Sequence, residues 1–241
     1  MFGIVTKRIY FCIQNLMTMS KLVQTATIYY DAELSYHEIP LFRGAVLRSL
    51  GKDANVLFHN HIGKDAYRYE YPKVQYKSIH GKAAILCLQE ATQSLADILS
   101  SIDTHLMIGK RHANILLDSV ETQETLVGIG NEVHSYKLTH WLPLNSKNYQ
   151  LFLDAEDMIS RTTLLNHILT ANILSFLKGI GVFLEETVKA SISNIYLQET
   201  IKYKGIGLTA FDVEFQTNVS LPIHVGLGKN ASVGFGIIED K

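Results

Sequence analysis

His59 and His61 stand two residues apart, a spacing that puts both imidazoles on one face of an extended strand. Lys64 follows closely. The surrounding stretch from Leu41 to Lys82 carries eight cations (Arg43, Arg48, Lys52, Lys64, Arg68, Lys73, Lys77, Lys82) against three anions (Asp53, Asp65, Glu70). Histidine gains and loses a proton near neutral pH, so an imidazole among cations can move a proton at a phosphodiester while the cations neutralise the phosphate. His37, just ahead of a predicted helix, is the third histidine in a position to do this. A His-x-His pair can also supply two metal ligands, but neither Asp53 nor Asp65 completes a zinc-site spacing. The expectation is a site with no metal and no cofactor.

A second cluster lies at the far end of the chain. Gly226-Leu227-Gly228 and Gly234-Phe235-Gly236 are two Gly-hydrophobic-Gly units separated by five residues. A dinucleotide fingerprint or a P-loop must open a helix, yet only five residues follow Gly236, and no Ser or Thr follows Gly228-Lys229. Several glycines can instead take φ > 0 and bring backbone N–H groups close to a phosphate chain, with Lys229 and Asn230 beside them. Arg43, Arg68, Lys73 and Lys77 are the cations expected to share that phosphate contact. Tyr67, Tyr69 and Tyr71 alternate among them; they could stack bases, but packing in a half-buried strand is the stronger reading.

The elements that must position these residues are legible in outline. LVQTATIYY reads as a strand and LFRGAVLRSLG, after Pro40, as a helix stopped at Gly51. VLFHNH and YRYEYPKVQYK read as strands, KAAILCL as a buried strand, and EATQSLADILSSI as a helix. The order approaches βαββαβ, an antiparallel sheet with helices on one face. LVGIGN marks a boundary, after which VHSYKLTHWLPL, the long helix RTTLLNHILTANILSFLKGIG and three strand-like segments repeat the theme, the last of them rich in glycine. The expected fold is α+β: two tandem ferredoxin-like domains, 19–130 and 131–241, with a C-terminal glycine-rich loop, preceded by an extension over 1–18.

With 47% hydrophobic and 19% charged residues the chain can bury a sizeable core. Its net charge of -1 argues against a protein basic over its whole surface. Cys12 and Cys87 form no CxxC pair, and the apolar opening is broken by Lys7 and Arg8, so a cytoplasmic protein with no membrane partner is expected.

The glycine pattern at the C-terminal end resembles the signature loop of the RAMP superfamily, in particular the CRISPR endoribonucleases that process precursor CRISPR RNA. IPLFRGAVLRSLG, LFHNHIG and YRYEYPKVQYK resemble the N-terminal half of the type I-B variant, so the similarity covers most of the chain after Met19. It implies two ferredoxin-like domains and metal-independent cutting of CRISPR repeat RNA, with effector-complex subunits or a second copy of the chain as further partners. The family's Phe-His segment followed by Gly and Lys matches Phe58, His59, Gly63 and Lys64, with His61 an additional histidine. The resemblance therefore puts His59 first, ahead of His61 and His37. A RAMP subunit that binds RNA without cutting it, and a dimeric structural protein, are the alternatives.

Overall fold

The computed structural model describes residues 20–50, 61–62, 66–67 and 71–241. The expected extension over 1–18 lies outside them. No helix among the described residues is long and apolar enough to cross a membrane.

β1 (Ser20–Glu33) leads through a 3-10 turn (Tyr36–Glu38) into α1 (Ile39–Leu50). A capping box makes that turn: the Glu38 carboxylate accepts from both the backbone N–H and the hydroxyl of Ser35. Pro40 sits where its missing N–H costs nothing, and Ile39, Phe42, Ala45 and Val46 bury one helical face. The short strands β2 (His61–Ile62) and β3 (Ala66–Tyr67) pair with each other. β4 (Val74–Ile79) and β5 (Lys82–Leu88) form a hairpin whose turn, His80-Gly81, has positive φ at both positions. The helix expected from Glu90 begins as a 3-10 segment, and only α2 (Leu95–Ser101) is α-helical. There the Thr92 hydroxyl bonds back to the Gln89 carbonyl, an alternative to helical pairing. β6 (His105–Ile108) and β7 (Arg111–Asn114) form a small hairpin.

β8 (Leu117–Trp141) is one continuous strand through LVGIGN, the expected boundary. Its first part pairs with β1 and its second with β10 (Ile206–Ser220), and Gly128 faces partners on both sides, Ser20 and Ser220. The glycines there mark a change of partner and a bulge. The expected division after residue 130 falls inside this strand. Beyond it come α3 (Ser146–Asp154), α4 (Met158–Gly179), β9 (Ala190–Tyr203), β10 and β11 (Ile237–Asp240). Asn145 and Asp157 cap α3 and α4 by accepting from the N–H groups of Asn148 and Ser160.

The main sheet runs β4-β5-β1-β8-β10-β9, with β11 also on β8, and every pairing is antiparallel. β4-β5-β1-β8 has the strand order of a ferredoxin-like unit, and β9-β10-β8-β11 repeats it, so the fold is the tandem α+β arrangement with one strand shared. In the second unit the glycine-rich segment, expected as a strand, stands where the second helix would be; only Ile237–Asp240 is extended. Its residues join two cores. Val225 and Leu227 pack with Trp141, Phe176 and Phe211, whereas Val233 and Phe235 pack with Ile39, Phe42 and Tyr76 of the first half.

Candidate nucleic-acid interface and active site

The glycine-rich loop is held from both sides. Gly226 is gripped at both backbone polar groups: its N–H donates to the buried Gln75 side chain at 2.9 Å, and its carbonyl accepts from the Tyr71 hydroxyl at 2.6 Å. Gln75 also donates to that hydroxyl at 2.9 Å, closing a ring of hydrogen bonds between β4 and the loop. The Gly236 N–H donates to the carbonyl of His140, and a Cβ on Gly236 would run into the carbonyl oxygen of Leu227. At Gly234, φ is +84° and a Cβ would meet Ile39. These glycines serve close packing, and the N–H groups of Gly226 and Gly236 are spent inside the protein. What the loop presents outward is Lys229, exposed between the half-buried Gly228 and Asn230; Asn230 is left-handed at φ 61° and its side-chain nitrogen is buried.

Phe235 ends the loop in a pocket of about 230 Å3. Its ring meets Tyr36 and Tyr203 edge-on at 5.1 and 5.3 Å. Tyr36 stacks on His140 at 4.0 Å, tying the turn before α1 to the end of β8. His37 lines the pocket from that turn, and Lys202 and Lys204 line it from the tip of the β9–β10 hairpin. Glu38 anchors the turn by accepting from Arg111 at 2.9 Å. Burial pushes the Tyr203 phenol upward, opposed by the Arg43 guanidinium, and burial likewise raises Tyr36. Both therefore stay neutral hydroxyls at physiological pH. An imidazole, two ammonium groups and three aromatic rings thus share one concavity, and no carboxylate is among the residues lining it. Such a set can stack a base, neutralise a phosphate and move a proton.

The expected site residues divide by position. His37 is brought beside Phe235. Arg43, half-buried on α1, sits close enough to act on Tyr203 and Tyr76. Lys77, expected on a phosphate, is completely buried, and its ammonium donates to the Ala231 carbonyl at 3.5 Å; it is placed to hold the loop and cannot reach an RNA. Lys73 lies elsewhere, with Gln89 and Glu90, in a groove shared with Lys178. The backbone of His61 is in β2; His59, Lys64 and Arg68 lie outside the described residues. Tyr36, His140, Lys202, Tyr203 and Lys204 were not among the sequence candidates. A Lys-Tyr-Lys-Gly tip between two strands was the only signal for Lys202, Tyr203 and Lys204, and Tyr36 and His140 had none.

Two ferredoxin-like units sharing a strand, with a glycine-rich loop wedged between their cores, define a tandem RAMP-type protein of the Cas6 class. The Cas6b N-terminal domain family matches residues 21–126 and the Cas6b C-terminal domain family residues 128–241, so the chain belongs to the Cas6b family. The two matches adjoin where β8 changes partner. A crystal structure of Cas6b is 26% identical, superposes with a TM-score of 0.81, and covers 92% of this chain and 100% of its own. A crystal structure of the CRISPR RNA processing endoribonuclease Cas6b is 24% identical with a TM-score of 0.70, covers 90% of this chain and 98% of its own, and speaks for the fold. An uncharacterized protein of Methanocaldococcus jannaschii is 34% identical over 112 residues, 46% of this chain and 75% of that protein.

Proposed function

We propose that this protein is an endoribonuclease that cuts CRISPR repeat RNA without a metal ion. The reading rests on membership of the Cas6b family and on one observation above all: His37, Lys202 and Lys204 share a pocket with Tyr36, Tyr203 and the loop's Phe235. In the proposed reaction the 2′-hydroxyl before the cut attacks the adjacent phosphorus and the bond to the 5′-oxygen breaks. The products carry a 2′,3′-cyclic phosphate and a 5′-hydroxyl. One group takes the proton from the 2′-hydroxyl and another returns one to the departing oxygen. His37 is suited to one of these roles; His59 and His61, with Lys64 beside them, are proposed for the other. Lys202 and Lys204 would neutralise the crowded phosphate, and a base would stack against Tyr203. Residues 19–130 supply the histidines and 131–241 the lysines and the loop, so neither half is complete alone.

The test uses a CRISPR repeat RNA of the source organism, incubated with the protein in excess EDTA and resolved on a denaturing gel. Cleavage at one position, with a cyclic phosphate on the upstream product, is expected. A 2′-deoxy substitution before the cut should abolish it. Cutting of the deoxy substrate, or activity appearing only with added magnesium or manganese, overturns the mechanism.

A further inference from the structure

A second concavity opens beside Lys229 of the glycine-rich loop, between the start of α3 and one face of α4, with a volume of about 440 Å3. Leu164 and Ile168 give it an apolar wall. Asn148, His167, Asn172 and Lys229 ring it with polar groups, and no carboxylate is among its lining residues. One of these groups is oriented from beneath: the buried Trp141 indole N–H donates to Asn172 Oδ1 at 2.9 Å. That bond commits the amide oxygen inward, so the Asn172 NH2 group is the one left to face the groove. Gly228 maintains the arrangement, because a Cβ there would stand 2.5 Å from Asn172 Oδ1. No side chain at that position could leave the amide where it is, so the left-handed glycine and the oriented asparagine form one unit beside the Lys229 ammonium.

An apolar wall with a cation and amide donors, and no competing negative charge, matches a nucleotide: a base face against Leu164 and Ile168, a phosphate against Lys229 and the Asn172 amide. We infer that this groove is a subsite for one unpaired nucleotide of the bound RNA, separate from the His37 pocket and joined to it by the glycine-rich loop. The inference deepens the reading of the protein as an RNA-cleaving enzyme and rests on it for the identity of the ligand. The loop would then serve as a spacer, holding one nucleotide near Lys229 while the cut is made near Phe235.

Asn148→Asp and His167→Glu each place a carboxylate in the groove from a helix surface, away from the Trp141 bond. The experiment measures the affinity of the full chain for repeat RNA, and for a series in which each nucleotide in turn is abasic. Melting curves establish that each variant is folded. Each variant is expected to bind the intact RNA about ten-fold more weakly, from repulsion of a phosphate in a partly desolvated groove. One abasic position should weaken binding to the unmodified protein while having little further effect in the variants. Unchanged affinity in both variants, or an abasic penalty that stays the same in them, overturns the subsite. The two readings fail separately: binding without cleavage sinks the reaction, and cleavage with unchanged affinity in both variants sinks the groove alone.

Discussion

The hydroxyl of Tyr71 donates to the carbonyl of Gly226 at 2.6 Å, joining the segment before β4 to the first glycine of the loop across most of the sequence. Gln75 holds the other side of the same residue, through the Gly226 N–H. The loop is thereby positioned by the first half, although it belongs to the second.

Tyr71→Phe keeps the ring, which also packs edge-on against Phe176, and removes only the donor. A buried carbonyl is left without its partner, and Gln75 loses an acceptor. The expected cost is roughly 1 to 3 kcal/mol, read as a lower melting temperature, together with weaker RNA binding as the loop loosens. A variant with wild-type stability and affinity would show that the Gln75 contact alone holds Gly226.

Lys77 gives a dependence on pH. Burial lowers its ammonium from 10.5 to about 7, while the unfolded chain keeps the ordinary value. Between those two values the unfolded state holds a proton that the folded state lacks, so this residue makes stability rise with pH across that window. Below about pH 7 both states are protonated and the full cost of the buried charge remains, at most roughly 4 to 5 kcal/mol. Lys77→Met should therefore be more stable than the unmodified protein at pH 6, and the advantage should shrink steadily towards pH 10. Chemical denaturation of both proteins across that range measures it; a difference independent of pH would mean that Lys77 holds its proton in the folded protein as firmly as in the unfolded chain.

His37→Ala is expected to lower single-turnover cleavage by roughly 100-fold, the usual size of one proton-transfer group, with little change in RNA affinity. His59→Ala, tested alongside, should give a loss of similar order if the two share the proton traffic. Normal cleavage by His37→Ala with loss in His59→Ala would move the reaction out of the Phe235 pocket.

Much of this architecture was legible because it follows from local periodicity. The long helix α4 shows its apolar stripe, β1 and β5 show their burial, and the glycine spacing announces the loop. Lys77 was misplaced because VQYKSI alternates like a strand with one wet face, whereas the loop covers that face and Val74 through Lys77 are all buried. Lys202 and Lys204 read as the polar tip of a hairpin, which they are; their meaning comes only from His37, brought to them from the opposite end of the chain. The Tyr36–His140 stack has the same origin: neither residue carries a local signal, and the contact exists only once both halves have folded.

β8 has a mechanical consequence. A hinged enzyme closes on its substrate by bending a linker, but here the connection between the halves is a single strand that pairs with β1 up to Gly128 and with β10 from Gly128 onward, across a bulge, with Gly128 paired on both edges. Opening the halves like jaws would break the pairings at Gly128, so the two walls of the Phe235 pocket are expected to hold their separation. An RNA that binds across these walls is therefore expected to be the partner that changes shape.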